Sequence, residues 1–341
     1  MKANRLPRIA FAVVILVLVP SAVSIPVPGL DLDRLSVDAS LIAVGEVTAV
    51  QEMGKTTVTI GEKNVPARAM VAELRVDQVL KRPTETSSPS LRFHFALTDD
   101  FSGLRSVTRL SYRIFFLRES SGELTLANPY YPSLVAIPGT ESPEGSAIER
   151  VIDQLRAVLE SSEASVEQKR EAIFALTRTK SPAAVGALKR IRDVKDVTLR
   201  LSVAAALLEH DDISTLQFAE DSLLRPDSKL PPQLHLLHNL SYAISEGLKD
   251  ERAVPSLTRL LHASTAETRR AAASALMHIG SNSSIDPLLS ALGDPDFEVR
   301  YYSVTGLAEI TGQTDWRPNM EDFRSDQSKY LNHWRDWSQS R

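Results

Sequence analysis

Apolar and polar positions alternate along this chain in two different rhythms, and the change of rhythm divides it. From about Leu30 to Ile137 the period is two. In Met70–Asp77, one face carries Met70, Ala72, Leu74 and Val76, and the other carries Glu73, Arg75 and Asp77. That is the pattern of a half-buried antiparallel strand. Leu91, Phe93, Phe95 and Leu97 repeat it, with Arg92 and His94 opposed. Leu41–Val50 is apolar on both faces and predicts a central strand, with Gly45 marking a bulge or tight bend. Ser111–Leu117 is a second central candidate and Glu123–Ala127 a short edge strand. Met53-Gly54-Lys55 and Ser120-Ser121-Gly122 carry turn signals. About five to seven short strands with such punctuation predict an all-β small barrel or sandwich over 25–137.

Proline, glycine and serine crowd the stretch 138–147, a linker in composition. The period then becomes 3.6: Ile148, Val151, Ile152, Leu155, Val158 and Leu159 share one face of an amphipathic helix. Beyond it a long polar residue precedes a leucine by seven positions in five places: Lys169/Leu176, Arg200/Leu207, Gln233/Leu240, Arg269/Leu276 and Arg300/Leu307. The units recur at intervals of 31, 33, 36 and 31 residues. The residue before each leucine is small (Ala175, Ala206, Ala275, Gly306) except at Asn239. Second helices are expected at 182–192, 213–224, 253–262 and 285–292. Recurrence at this period predicts an all-α solenoid over 148–312, in which each unit buries its apolar face against its neighbours. Asp196 and Asp296 stand four residues before Arg200 and Arg300, placed to cap the helix and pair with the arginine. Tyr330, Trp334 and Trp337 form an aromatic stripe in 313–341, read as a cap over the last repeat.

Asp294-Pro295-Asp296-Phe297-Glu298-Val299-Arg300 followed by Leu307-Ala308-Glu309-Ile310, and Glu267–Leu276, resemble the short form of the HEAT repeat. The resemblance covers about 164–312 and implies a helical superhelix that binds other proteins. The short form also occurs in bilin lyases, whose activity is not carried over because those enzymes act on cytosolic proteins. The order of elements over about 30–137, with a long connection at 98–109, resembles an OB or netrin-like module. Netrin-like protease inhibitors rely on an N-terminal cysteine, and this chain has none.

The absence of cysteine excludes disulfides, thiol catalysis and cysteine-held metal sites. Residues 1–24 join a basic start (Lys2, Arg5, Arg8) to an apolar run, Ile9–Val19, then Pro20 and the small residues Ala22 and Ser24. This is the pattern of a signal peptide cleaved near Ser24, so a periplasmic or secreted protein with no stable membrane span is expected. Losing those three basic residues takes the formal charge from -4 to about -7, which disfavours nucleic acid as a partner.

No phosphate loop, nucleophile elbow or His-Glu-x-x-His stands in the chain. His235 and His238 are within reach of each other on a helix but lack further ligands. His210-Asp211-Asp212 resembles a fragment of metal-hydrolase motifs at a predicted helix end. No catalytic residue, metal or cofactor is therefore expected. A protein partner is expected on a concave face formed by the second helices, with Lys189, Arg190, Glu220, Arg259 and His262 exposed there by helical phase. Tyr130 and Tyr131, in the Asn128–Pro132 loop, are further contact candidates. The expected function is a non-catalytic scaffold in the bacterial envelope. The alternative is an enzyme or enzyme inhibitor with its site in the β domain or the interdomain cleft.

Overall fold

The computed structural model describes residues 29–341 apart from 61–62, 83–88, 99–105 and 233–234. Residues 1–24, expected to be a signal peptide, Gln233 and most of the connection 98–109 lie outside the described residues.

The first described element is a helix, α1 (Leu32–Asp38), which the period-two reading missed. Asp31 caps it by accepting the Arg34 N–H at 2.8 Å. With only seven residues it offers too short a window for a helical period to show.

Among the described residues six strands follow: β1 (Leu41–Ile60), β2 (Lys63–Lys81), β3 (Ser90–Leu97), β4 (Tyr112–Ser120), β5 (Glu123–Leu126) and β6 (Ser133–Val135). Their order is β1-β2-β3-β5-β4-β6, and β1 also pairs antiparallel with β4 along Leu41–Glu46, so the sheet closes into a ring. β3 meets β5 in parallel at His94 and Thr125. The inward set is the one the alternation picked out. Met70, Ala72 and Leu74 bury against Phe93, Phe95 and Phe115, with Phe93 and Phe115 centred 5.3 Å apart.

Gly45 sits at a register shift between β1 and β2, where a β-carbon would lie 2.0 Å from the Arg75 carbonyl oxygen. The strands can approach there only because the side chain is missing. Gly54 behaves differently from the turn expected at Met53-Gly54-Lys55. The strand runs straight through it, with φ at 139° and a register shift that skips Met53. A bulge uses the glycine to twist the ribbon without reversing it. Ser121 and Gly122, with φ of 54° and 82°, make the two-residue reversal between β4 and β5.

The helical part opens with α2 (Ala147–Glu160), whose Ser146 and Glu149 form a reciprocal capping box. Pairs then alternate. The first helices are α3 (Val166–Thr177), α5 (Val197–Glu209), α7 (Leu236–Gly247), α9 (Ala266–Ile279) and α11 (Phe297–Thr311). The second helices are α4 (Pro182–Arg190), α6 (Leu216–Leu224), α8 (Val254–Leu260) and α10 (Ile285–Ala291). Each first helix packs on the next along the row. Ala175, Ala206 and Ala275 are buried at those contacts. At Gly306 a β-carbon would lie 2.9 Å from the Leu288 side chain.

The third unit is phased one turn later than the Leu240 alignment implies. Asn239 is exposed, and the buried small-then-large pair is Ala243-Ile244.

Asp196 and Asp296 cap their helices, accepting backbone N–H groups of Thr198 and Leu199, and of Glu298 and Val299. Their expected arginine partners lie elsewhere. Asp296 is held by Arg270 of the preceding unit at 2.7 Å, while Arg300 reaches Gln327 and the carbonyls of Asp294 and Pro295. Arg200 lies over the Phe218 ring at 4.1 Å. Stacking brings the neighbouring unit closer to these groups than the next turn of their own helix.

The tail forms α12 (Met320–Ser325) and α13 (Gln327–Gln339). Phe323, Tyr330, Leu331 and Trp334 join the core of the last repeats, with Trp334 fully buried.

The β ring and the first repeats share one continuous core, from Ile42, Ile114 and Phe116 through Val151 and Leu155 to Ile173 and Leu207. Polar contacts fix the join. Asp33 of α1 accepts the Thr179 hydroxyl at 2.6 Å and the Lys180 N–H at 2.8 Å. The Lys81 ammonium donates to the carbonyls of Ser36, Val37 and Ala39 at the end of α1. Arg150 of α2 donates to the carbonyls of Val79 and Leu80, each at 2.9 Å. The buried Gln154 amide bonds Gln78, Thr140 and Ser142, which ties the stretch 138–146 to the helix that follows.

Candidate functional site

A cavity of about 690 Å3 runs across α3, α5 and α7. It is built from first helices, whereas the expected binding face was assigned to the second ones. The repeat alone fixes which residues are buried within a unit, but not towards which side the stack leaves a hollow.

Its floor is apolar: Ile173, Leu201, Ala205, Ala206 and Leu236. Phe174 on α3 and Tyr242 on α7 stand on its walls, 40% and 53% exposed. Asn239 lies on α7 one turn before Tyr242.

The groove adjoins the β ring at its α3 wall. Tyr131 stacks on Phe174 with centroids 6.4 Å apart, and Arg113 of β4 pairs with Glu171 while donating to the Ser133 hydroxyl at 2.7 Å. Arg113 and Ser133 also line a second hollow of about 230 Å3 with Ser106, Thr108 and Ser111.

At the other end of α3, Arg178 lies over the Phe174 ring at 5.4 Å and pairs with Glu209 at 3.2 Å. Burial pushes the Glu209 carboxyl above its usual pKa, and the charges of Arg178 and His210 offset part of that rise.

The residues predicted as exposed contacts separate into three groups. Glu220 is a correction: it is only 3% exposed and accepts a two-pronged bond from Arg259, with Nη2 to Oε2 at 2.8 Å. The Arg259 hydrogen bond holds the Glu220 carboxyl below its usual pKa against the cost of burial. Helical phase could not anticipate this, because the partner that lets a carboxylate be buried comes from the next second helix. Arg259 itself stays half exposed.

Lys189 pairs with Asp212 at 2.5 Å, while Arg190 and His262 are exposed. Tyr131 is the second correction. It is buried in the joint between the two parts, and Tyr130 is half-buried beside it. The loop that carries them packs on α3, so an aromatic pair flanked by prolines serves the fold there.

His210-Asp211-Asp212 works as a clip. The His210 ring bonds the Leu176 carbonyl at 3.2 Å in the preceding unit. Asp211, in the left-handed region at φ 58°, accepts the N–H groups of Lys249 and Asp250 in the following one. Asp212 caps the short turn at Ile213–Thr215 and holds Lys189. Three consecutive side chains thus link three repeats. His238 pairs with Glu267, not with His235. Among the described residues no group of three or more His, Asp and Glu is placed to hold a metal, and no helix is long and apolar enough to cross a membrane.

Fold and groove together define a repeat protein, a helical solenoid joined to a closed β ring, with its hollow on the side of the first helices. Residues 239–308 match the family model for HEAT repeats. Among solved structures the chain is similar to an engineered protein from a structural genomics consortium. The identity is 16%, the TM-score 0.36, and the match covers 55% of this chain and 60% of that one. It is also similar to human deoxyhypusine hydroxylase in complex with glycerol: 17% identity, TM-score 0.26, 56% of this chain and 73% of that chain. No curated protein matches the sequence.

Proposed function

We propose that this is an exported, non-catalytic HEAT-repeat protein that holds a protein partner in the bacterial envelope, and that the partner sits in the groove across α3, α5 and α7. The observation that carries the reading is the pair of exposed aromatic residues, Phe174 and Tyr242, over an apolar floor. Large apolar side chains placed around one hollow are expensive to leave in water and suit a contact surface. The join to the β ring supports the same reading, since α3 is held by Arg113 and Tyr131 and offers the partner a fixed wall. Export rests on residues 1–24: a basic start, an apolar run too short for a ~30 Å hydrocarbon core, and small residues at 22 and 24.

A photo-crosslinking residue at Tyr242 in native cells, compared with one at Arg190 on α4, tests the groove. A discrete adduct from position 242 and none from 190 is expected. Adducts from 190 alone would move the contact to the second helices. N-terminal sequencing of the native protein tests export, which fails if the chain begins at Met1.

A further inference from the structure

The groove's own bonding pattern narrows the chemistry of what fills it, given the reading that it is the partner site. Every charged side chain lining it is already matched. Glu167 pairs with Arg170 at 3.1 Å, Arg178 with Glu209 at 3.2 Å, and Glu171 with Arg113. The His238 imidazole is taken by Glu267. What is left facing the hollow is neutral. The Asn239 amide and the Tyr242 hydroxyl make no side-chain hydrogen bond among the described residues, and the rings of Phe174 and Tyr242 flank the apolar floor. A charged ligand would have to break an existing pair to be neutralised, whereas an uncharged one meets free donors, free acceptors and ring faces.

The dimensions favour an extended chain. Packed helices lie roughly 8–10 Å apart, so α3 to α7 spans about 20 Å. A strand-like segment covers that distance in about six residues. Proline-rich segments fit these groups well. They keep an extended form at little entropic cost, leave their carbonyls without internal partners, and dock on aromatic-lined grooves. Asn239 and Tyr242 supply donors for such carbonyls, and the exposed Tyr242 ring supplies a face for a pyrrolidine. We propose that the groove takes an uncharged, extended, proline-containing segment of its partner, about six residues long.

The test uses the full chain and three labelled decapeptides, read by fluorescence anisotropy. One alternates proline with valine, one lysine with serine, and one glutamate with serine. The proline peptide is expected to bind, and Asn239→Ala and Tyr242→Ala each to weaken it by at least about five-fold. Its affinity should change less than about two-fold between ~0.05 and ~0.5 M salt. Both positions are exposed, so the variants should keep the parent's melting temperature, and one that does not is replaced by Asn239→Ser or Tyr242→Phe. Equal or tighter binding of either charged peptide overturns the proposal. Proline-peptide binding that survives both substitutions overturns it as well. Binding by none of the three overturns the ligand class, while the partner reading stands or falls separately on the adduct at position 242.

Discussion

Gly247 and Gly186 are both helical glycines, and replacing each by alanine should move stability in opposite directions. Gly247 ends α7 where it crosses α5. An added β-carbon would lie 2.2 Å from the Leu208 carbonyl oxygen and 2.7 Å from the Glu209 α-carbon. Ordinary contact begins near 3.4 Å, so the two helices must part by about 1 Å. Both obstacles are backbone, so no rotamer change relieves them. The separation spreads into Leu208, Leu240, Ala243 and Ile244, which are buried at this crossing. Overpacking of this kind costs about 2–3 kcal/mol. Gly186, in the middle of α4, has nothing within 4 Å of its would-be β-carbon. There alanine adds helix propensity alone and should stabilise by about 0.5–1 kcal/mol. Urea unfolding followed by circular dichroism at constant m-value reads the difference directly. The midpoint should fall for Gly247→Ala and rise for Gly186→Ala. Midpoints moving in the same direction would refute the claim that close approach of α5 and α7 depends on that missing side chain.

Other outcomes follow from the same contacts. Asp296 has its pKa lowered to about 2, chiefly by the Arg270 hydrogen bond. A depressed carboxylate stabilises fully above its unfolded value near 4 and loses that contribution as pH falls towards 2, a loss of roughly 2 kcal/mol. Asp296→Asn should flatten that part of a stability-versus-pH curve while keeping most of the cap. Trp334→Ala removes a fully buried ring from the tail and should cost about 3–5 kcal/mol in chemical denaturation. Asp33→Ala leaves the buried Thr179 hydroxyl and the Lys180 N–H without their acceptor, for about 2–3 kcal/mol. Hydrogen exchange should then quicken first in α1.

The sequence made the burial pattern legible and the directions between elements far less so. Met70, Ala72 and Leu74 announce an inward face, and Ala275 or Gly306 a helix contact, because period and side-chain size are local properties. Closure of the sheet through β1 and β4 depends on pairing residues about 70 positions apart, which alternation does not encode. Gly54 carries the same letters in a bulge as in a turn. The third repeat slipped by one turn because Leu240 and Ile244 are both fully buried, so either could anchor the register. The groove residues were missed for a related reason. Phe174, Asn239 and Tyr242 stand on first helices, whereas a binding face was expected on the second ones, and only the stacking of α3, α5 and α7 decides which of their faces stays open. An exposed aromatic where sibling units carry small residues was the one available signal.

The common core that runs from the β ring into α2 and α3, and the fully buried Trp334 behind α11, have a shared result. A repeat stack is intrinsically open-ended: its last unit presents the same surface that its neighbours use to bind one another. Here one end is occupied by a module of different architecture and the other by an aromatic helix, and neither offers that surface again. Among the described residues, the apolar faces that stack one repeat on the next are therefore covered at both ends of the row rather than left to water.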